Sequence, residues 1–394
     1  EDIQTRGDLA LSDWTERLDG KTATSFRIPE EQIQGALTQI SPELRRSLET
    51  AAERVESFHR KQPLTSWISQ EAGGTLGQLI RPIKRIGVYA PGGTAPLPST
   101  ILMSAIPAKV AGVKEIVVAT PPQRSTGQIA PVSLAAAALA GVTEVYAIGG
   151  AQSIAALAFG TANIKAVDKI VGPGNLFVTL AKRQVYGIVG IDGLAGPTET
   201  VVIADDSARP DWVALDLLAQ AEHDVLASAI LLTPSPKLAQ AVQSEIEKRL
   251  NGTEKLRAEI LGVSLHNSSG IVLTQDIQEA IELSNAYGPE HLNLVVENPW
   301  SWLDKITSTG GVFIGEQSYE VLGDYIAGPS HVMPTSGTAR FASPLNVWDF
   351  IHIISLIALE PEKAVEIGKQ AALIARSEGL ISHAQAAEAR ANAA

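Results

Sequence analysis

Over the first 80 residues, hydrophobic positions recur at three- and four-residue spacing; from about residue 85 the pattern changes to short aliphatic runs that end in Gly or Pro. The stretch "PEEQIQGALTQISPELRRSLETAAERVESFHRKQ" carries the helical period behind Pro and Ser start signals, so residues 1–80 read mainly as helix. The strand-like runs then come in two series. The first is "RIGVYAPGG" (85–93), "EIVVATPP" (115–122), "VTEVYAIGG" (142–150) and "VDKIVGPGN" (167–175), with starts 30, 27 and 25 residues apart, the size of a strand–helix–strand unit. The second is "TVVIADD" (200–206), "ASAILLTPS" (227–235), "SGIVLTQD" (269–276), "LNLVVEN" (292–298) and "GGVFIGEQS" (310–318). From about 345 the tail, including "FIHIISLIAL", reads as helices. The expected fold is α/β: two Rossmann-like parallel-sheet domains with helical N-terminal and C-terminal additions. In such sheets ligands sit at the carboxyl ends of the strands, where the Gly-rich turns "YAPGGTAP", "IGGAQS" and "VGPGNLF" fall. None is a full G-x-G-x-x-G, since Phe177 stands where the third glycine of "GPGNLF" belongs. Each turn alone says only that a strand connects tightly to a helix; three in one half point to a nucleotide or phosphate ligand.

Composition narrows the partners. The 394 residues carry 31 basic and 43 acidic side chains, a net charge of −12, with no basic run, which argues against nucleic acid. Hydrophobic residues make up 45% and aromatics only 5%, the aliphatic mix of buried parallel strands. No apolar run approaches the roughly 18 residues of a membrane span, and no secretion signal is visible, so a cytoplasmic protein with no membrane partner is expected. With no cysteine, any metal must be held by nitrogen and oxygen.

Candidate chemistry collects in a few polar settings. "LLAQAEHDV" puts Gln220 and His223 on one face of a helix, for which a solvated polar stripe is the ordinary explanation. "YGPEHLNL" sets Glu290 beside His291 before a strand, "VLGDYIAGPSHVMPT" holds Asp324 and His331, and "SEGLISHAQAA" holds Glu378 and His383. His59, His266 and His352 read as surface or hydrogen-bonded core histidines. Together Gln220, His223, Asp324 and His383 form a donor set suited to Zn2+ or a similar ion, leaving Glu290 and His291 for acid–base work, although spacing alone does not bring the segments together.

Eight stretches in order, among them "RIGVYAPGGTAPLPSTILMSAIPAKVAGV", "VDKIVGPGNLFVTLAKRQVYG", "IDGLAGPTETVVIAD", "LLAQAEHD", "YGPEHL" and "GDYIAGPSHVMPTSGTARFASPLNVWDF", strongly resemble the histidinol dehydrogenase family over nearly the whole chain. The resemblance implies a zinc ion, one per subunit, on Gln220, His223, Asp324 and His383, proton transfer by Glu290 and His291, and NAD+ contacts from Tyr89, Gln152 and Asn175. It places Thr198, His331 and Glu378 around the substrate, together with the metal residues and His291. It implies oxidation of L-histidinol to L-histidine through the aldehyde with two NAD+, the last step of histidine biosynthesis, in a homodimer whose C-terminal segments complete each other's sites.

On this basis residues 1–90, helices plus the first strand, are expected to pack with 200–344 as the metal and catalytic domain, 91–199 to form the NAD domain, and 345–394 a helical dimerisation segment. Two departures stand out: Thr198 where many relatives have Ser, and Ser330 where Asn is common. The alternatives are a paralogue oxidising another small alcohol or diol and, more remotely, a zinc hydrolase; Glu378 favours a cationic amino alcohol, and the Gly-rich turns favour a dinucleotide.

Overall fold

A computed structural model describes residues 1–19, 26–92, 95–252 and 255–391. Thirteen strands occur among them: β1 (Trp67–Ser69), β2 (Gly74–Pro82), β3 (Arg85–Tyr89), β4 (Glu115–Ala119), β5 (Glu144–Tyr146), β6 (Lys169–Val171), β7 (Gly190–Ile191), β8 (Glu199–Ala204), β9 (Ser228–Thr233), β10 (Gly270–Leu273), β11 (His291–Val295), β12 (Gly311–Ile314) and β13 (Ile351–Leu359). They form two five-stranded parallel sheets, ordered β5-β4-β3-β6-β7 and β10-β9-β8-β11-β12, and one three-stranded antiparallel sheet, β1-β2-β13. The two Rossmann-like sheets expected from the repeat spacing are present.

In each parallel sheet the first strand in sequence lies at the centre, with the chain winding outward first to one side and then to the other. This creates a switch point between β3 and β6 in one sheet and between β8 and β11 in the other. Every residue of β3 and of β11 is buried, as expected when helices cover both faces of a sheet. Helix ends are set locally. Asn175 caps Leu176–Val185 by accepting from Val178 N at 3.1 Å, and Asp276 caps Ile277–Tyr287, which stops at Gly288 in the left-handed region. Gly172 has φ +109°, and a Cβ there would lie 2.1 Å from Tyr89 O, so only glycine lets the turn after β6 close onto the end of β3.

The chain divides into two compact units, Glu1–Gln62 with Lys84–Asp349, and Pro63–Ile83 with Phe350–Ala394. The first holds both parallel sheets and the second holds the antiparallel sheet and the helices Pro361–Ser377 and Ile381–Ala391. Three expectations are corrected here. The first strand, β3, sits at the centre of the first sheet instead of joining 200–344. The N-terminal helices follow it: Ile3, Ala10, Leu11 and Phe26 share one buried core with Val117, Tyr146, Leu157 and Ile170 of that sheet's layers.

The tail is not all helix, because "IHIISLIAL" forms β13 and pairs over its whole length with β2, in the region read as the end of the helical N-terminus. A nine-residue apolar run carries no helical or strand period by itself, and its six isoleucines and leucines at 351, 353, 354, 356, 357 and 359 suit a pleated strand. Gly74, at φ +151°, permits the pairing, since a Cβ there would meet Leu359 Cα at 2.5 Å. Among the described residues no helix is long and apolar enough to cross a membrane.

Candidate active site

The polar cluster lies at the amino edge of the second sheet, opposite to the edge where ligands are expected. Thr198 and Glu199 lead into β8, and Glu290 and His291 lead into β11. The helices Pro210–Ala221 and Ile277–Tyr287 run back antiparallel to the strands, so their carboxyl ends face this edge. Helix carboxyl ends carry partial negative charge and favour cations, and Gln220 and His223 sit at one of them. At the first sheet the usual edge is used: Tyr89 ends β3, Gln152 lies in the first turn after β5, and Asn175 follows β6. Tyr89 Oη accepts from Gly150 N at 3.4 Å, and its ring bounds Gly174, so these turns converge.

Glu290 is buried and fixed. Its Oε2 accepts from Thr198 Oγ1 at 2.5 Å and Glu199 N at 3.2 Å. Burial pushes its carboxyl above the usual range, opposed by the neighbouring His291 charge and these hydrogen bonds. Gln220, fully buried, has one amide orientation that satisfies both ends. Its nitrogen donates to Glu320 Oε1 at 2.6 Å, and its oxygen accepts from Glu199 N at 2.7 Å and lies 2.7 Å from Thr198 Oγ1. Thr198 thus joins Glu290 to Gln220 through its hydroxyl.

His291 is surrounded by carboxylates. Glu290 Oε2 lies 3.8 Å and Glu320 Oε1 3.9 Å from Nδ1, and Asp324 Oδ1 lies 3.6 Å from Nε2. Neither ring nitrogen makes a close hydrogen bond among the described residues, the Glu199 backbone giving only a weak one. Burial pulls the imidazole down, but Glu320, Glu290 and Asp324 outweigh it and hold it up at about 9. His331 is the opposite case. Nδ1 contacts Asp324 O at 2.7 Å and Nε2 contacts Thr100 Oγ1 at 3.4 Å, a pattern satisfied when Nδ1 carries the proton. Burial lowers its pKa, so it stays neutral and ties the Asp324 loop to the helix Pro98–Ala111 of the first sheet. Ser330 adds a buried bond from Oγ to Met103 O on the same helix, so the residue that departs from the common Asn still anchors this turn.

The metal expectation can be tested on donor chemistry. His223 Nδ1 faces Ala219 O at 3.0 Å and Gln220 O at 3.3 Å, so the proton belongs on Nδ1 and Nε2 keeps the lone pair a metal ligand needs. Gln220, His223 and Asp324 are thus oxygen and nitrogen donors of the type Zn2+ takes. His383 and Glu378 belong to the other unit, where both are exposed. Among the described residues no three His, Cys, Asp or Glu side chains are grouped closely enough to hold an ion. The donors fit the ion, but one chain does not by itself show the full set assembled.

Sequence reasoning missed Glu199, Asp216 and Glu320. Ser336 N donates to both Glu199 oxygens at 3.1 Å, and burial, more than any neighbour, raises Glu199 to about 7. Asp216 is also raised to about 7, first by burial and then by Glu320 and Glu316. Glu320 stands one helical turn before Asp324, but only its burial sets it apart from an ordinary solvated acid at a helix start. Asp216 and Glu199 hold protons in the fold that the unfolded chain releases near 3.8 and 4.5, so stability falls as pH rises from there to about 7 and levels off above. Asp216→Asn should flatten that decline, measured by denaturant midpoints from about pH 5 to about pH 8. An unchanged slope would contradict the assignment.

Fold and site together define an α/β enzyme with two doubly wound half-sheets and a buried acid–base centre. The family model described as histidinol dehydrogenase matches residues 1–391. Histidinol dehydrogenase of Deinococcus radiodurans is 51% identical over 389 residues, covering 99% of this chain and 88% of that protein; the Thermus thermophilus enzyme is 50% identical over 390 residues, covering 99% and 92%. The crystal structure of histidinol dehydrogenase from Elizabethkingia anophelis superposes with a TM-score of 0.94 at 40% identity, covering 100% of this chain and 90% of that one. An acetylating aldehyde dehydrogenase from Geobacillus thermoglucosidasius, at 13% identity and a TM-score of 0.52, shares the fold alone. The chain belongs to the histidinol dehydrogenase family.

Proposed function

We propose that this chain oxidises L-histidinol to L-histidine with two NAD+, that Glu290 and His291 move the protons, and that the substrate site is completed across a homodimer. The observation that carries the proton-transfer reading is the buried pair itself. His291 has no close hydrogen-bond partner on either ring nitrogen among the described residues, only a weak one from the Glu199 backbone, and lies next to a carboxyl whose Oε2 is held by Thr198 and Glu199. Membership of the family supports the substrate and the NAD-linked chemistry.

The residues that would hold zinc are Gln220, His223 and Asp324, with His383 of the partner subunit, and the ion supplies fixed positive charge and orientation beside the substrate's nitrogens. NAD+, received at Tyr89, Gln152 and Asn175, takes up one hydride in each half-reaction. The protein's part is proton handling. Glu320, Glu290 and Asp324 favour the protonated imidazole of His291 against the effect of its burial. With Asp324 serving as a metal ligand, His291 would lose one of the carboxylates that favour its charged form and would shift toward the neutral imidazole. It can then take the alcohol proton as the first hydride leaves. Glu290 takes a proton from the water that adds to the aldehyde carbon, and the second hydride departs from that hydrate. The balance is one alcohol, one water and two NAD+ giving one carboxylate, two NADH and three protons.

Thr198, His331 and the partner's Glu378 would complete the substrate surroundings, Glu378 pairing with a cationic nitrogen. His331, locked by Asp324 O and Thr100, would act through its ring's position more than by proton transfer. The test is the yield of NADH per histidinol, expected to be two; one NADH, or none, contradicts the four-electron reading.

A further inference from the structure

The carboxylate of Glu320 has no assigned part in the reaction, yet it touches two of the groups that do. It is the first residue of the short helix Glu320–Tyr325, its side chain 2% exposed, with Asp324 one turn later. Oε2 accepts from Asn293 Nδ2 at 3.4 Å, Oε1 accepts from the Gln220 amide nitrogen at 2.6 Å, and His291 Nδ1 lies 3.9 Å from Oε1. Thr200 supplies a further side-chain hydrogen bond. No Lys or Arg forms an ion pair with it among the described residues. Burying a carboxylate without a full cationic partner is costly, and a purely structural polar contact in this position could be met by a neutral side chain.

Gln220 shows what the carboxylate does. A primary amide can turn over in place, exchanging an oxygen that can ligate a cation for a nitrogen that cannot. With the oxygen toward Glu320, two acceptors would meet at 2.6 Å while the NH2 faced the N–H of Glu199. Glu320 forbids that orientation by accepting from the amide nitrogen, which leaves the oxygen on the side of Thr198 and Glu199.

We propose that Glu320 is a positioning residue that locks the Gln220 carboxamide with its nitrogen inward, so that the oxygen is the atom presented to the site. The proposal rests on the reading of Gln220 as a metal ligand. It acts through hydrogen-bond reach rather than through charge, and this gives a test with two conservative variants of the protein. Glu320→Gln still carries an acceptor oxygen at the right distance but no charge. Glu320→Asp keeps the charge but falls one methylene short of Gln220.

The zinc dissociation constant is read by competition with a chromophoric chelator, alongside unfolding midpoints and KM for NAD+. Glu320→Gln is expected to stay within about threefold of wild type, while Glu320→Asp weakens zinc by about 10- to 100-fold, with KM for NAD+ unchanged in both. The reverse order, with Asp retaining zinc and Gln losing it, would show that charge and not reach matters and would overturn the proposal, as would two variants that both match wild type. Wild-type protein that binds no zinc would instead overturn the metal reading of Gln220 on which the proposal stands.

Discussion

A His291→Asn variant is expected to lose about 10²- to 10⁴-fold in the oxidation of histidinol, while its oxidation of supplied histidinaldehyde falls much less. Glu290→Gln is expected to show the opposite bias. The division follows from position. His291 is the group whose ring nitrogens have no close hydrogen bond among the described residues and whose charge is set by the carboxylates around it. Glu290 is a buried carboxyl whose Oε2 is already held by Thr198 and Glu199, which suits it to take a proton from a water placed against it. Asn and Gln preserve shape and part of the hydrogen bonding, so losses report on proton transfer more than on packing. Each half-reaction is followed separately by NADH formation under single-turnover conditions. Equal losses in both half-reactions for both variants would contradict the division.

The second large effect is a recovery of activity from two inactive proteins. His383 lies in the unit formed by Pro63–Ile83 and Phe350–Ala394, and His291 in the other. If each site takes its His383 from the partner subunit, a heterodimer of His383→Asn and His291→Asn chains contains one wholly native site and one doubly altered site. Random reassortment makes about half of the dimers mixed, so about a quarter of wild-type activity should return. If each chain builds its own site, every site in the mixture lacks one residue and nothing returns. The readout is activity before and after co-refolding or subunit exchange, with mixing verified by differently tagged chains. The exposure of His383 and Glu378 on their own unit is the structural reason to expect recovery.

The two parallel sheets were legible because βαβ spacing and Gly-terminated aliphatic runs are local signals, read within about 30 residues. What escaped was pairing at long range. Nothing within "IHIISLIAL" says that its partner is β2, some 270 residues earlier, so a strand was read as helix at both places. The position of β3 failed for a related reason: a strand's spacing does not tell which sheet's centre it occupies.

The site was legible as residue types and not as geometry. Glu290, His291 and Asp324 do come together, with Gln220 joined to Glu290 through Thr198. Glu290 and His291 stand at the start of β11, so the general preference for carboxyl ends, which fits the Gly-rich turns of the first sheet, did not point to them. Glu320 went unnoticed because an acidic residue at a helix start is ordinarily a solvated one, and only burial marks it as different.

The most direct measurement is NADH released per L-histidinol by the protein, before zinc chelation, after it, and after zinc is returned. The account predicts two NADH per histidinol, loss of turnover with the metal, and recovery on re-addition. A zinc-loaded dimer that turns over no histidinol, or that yields two NADH regardless of chelation with zinc removal verified, would contradict it.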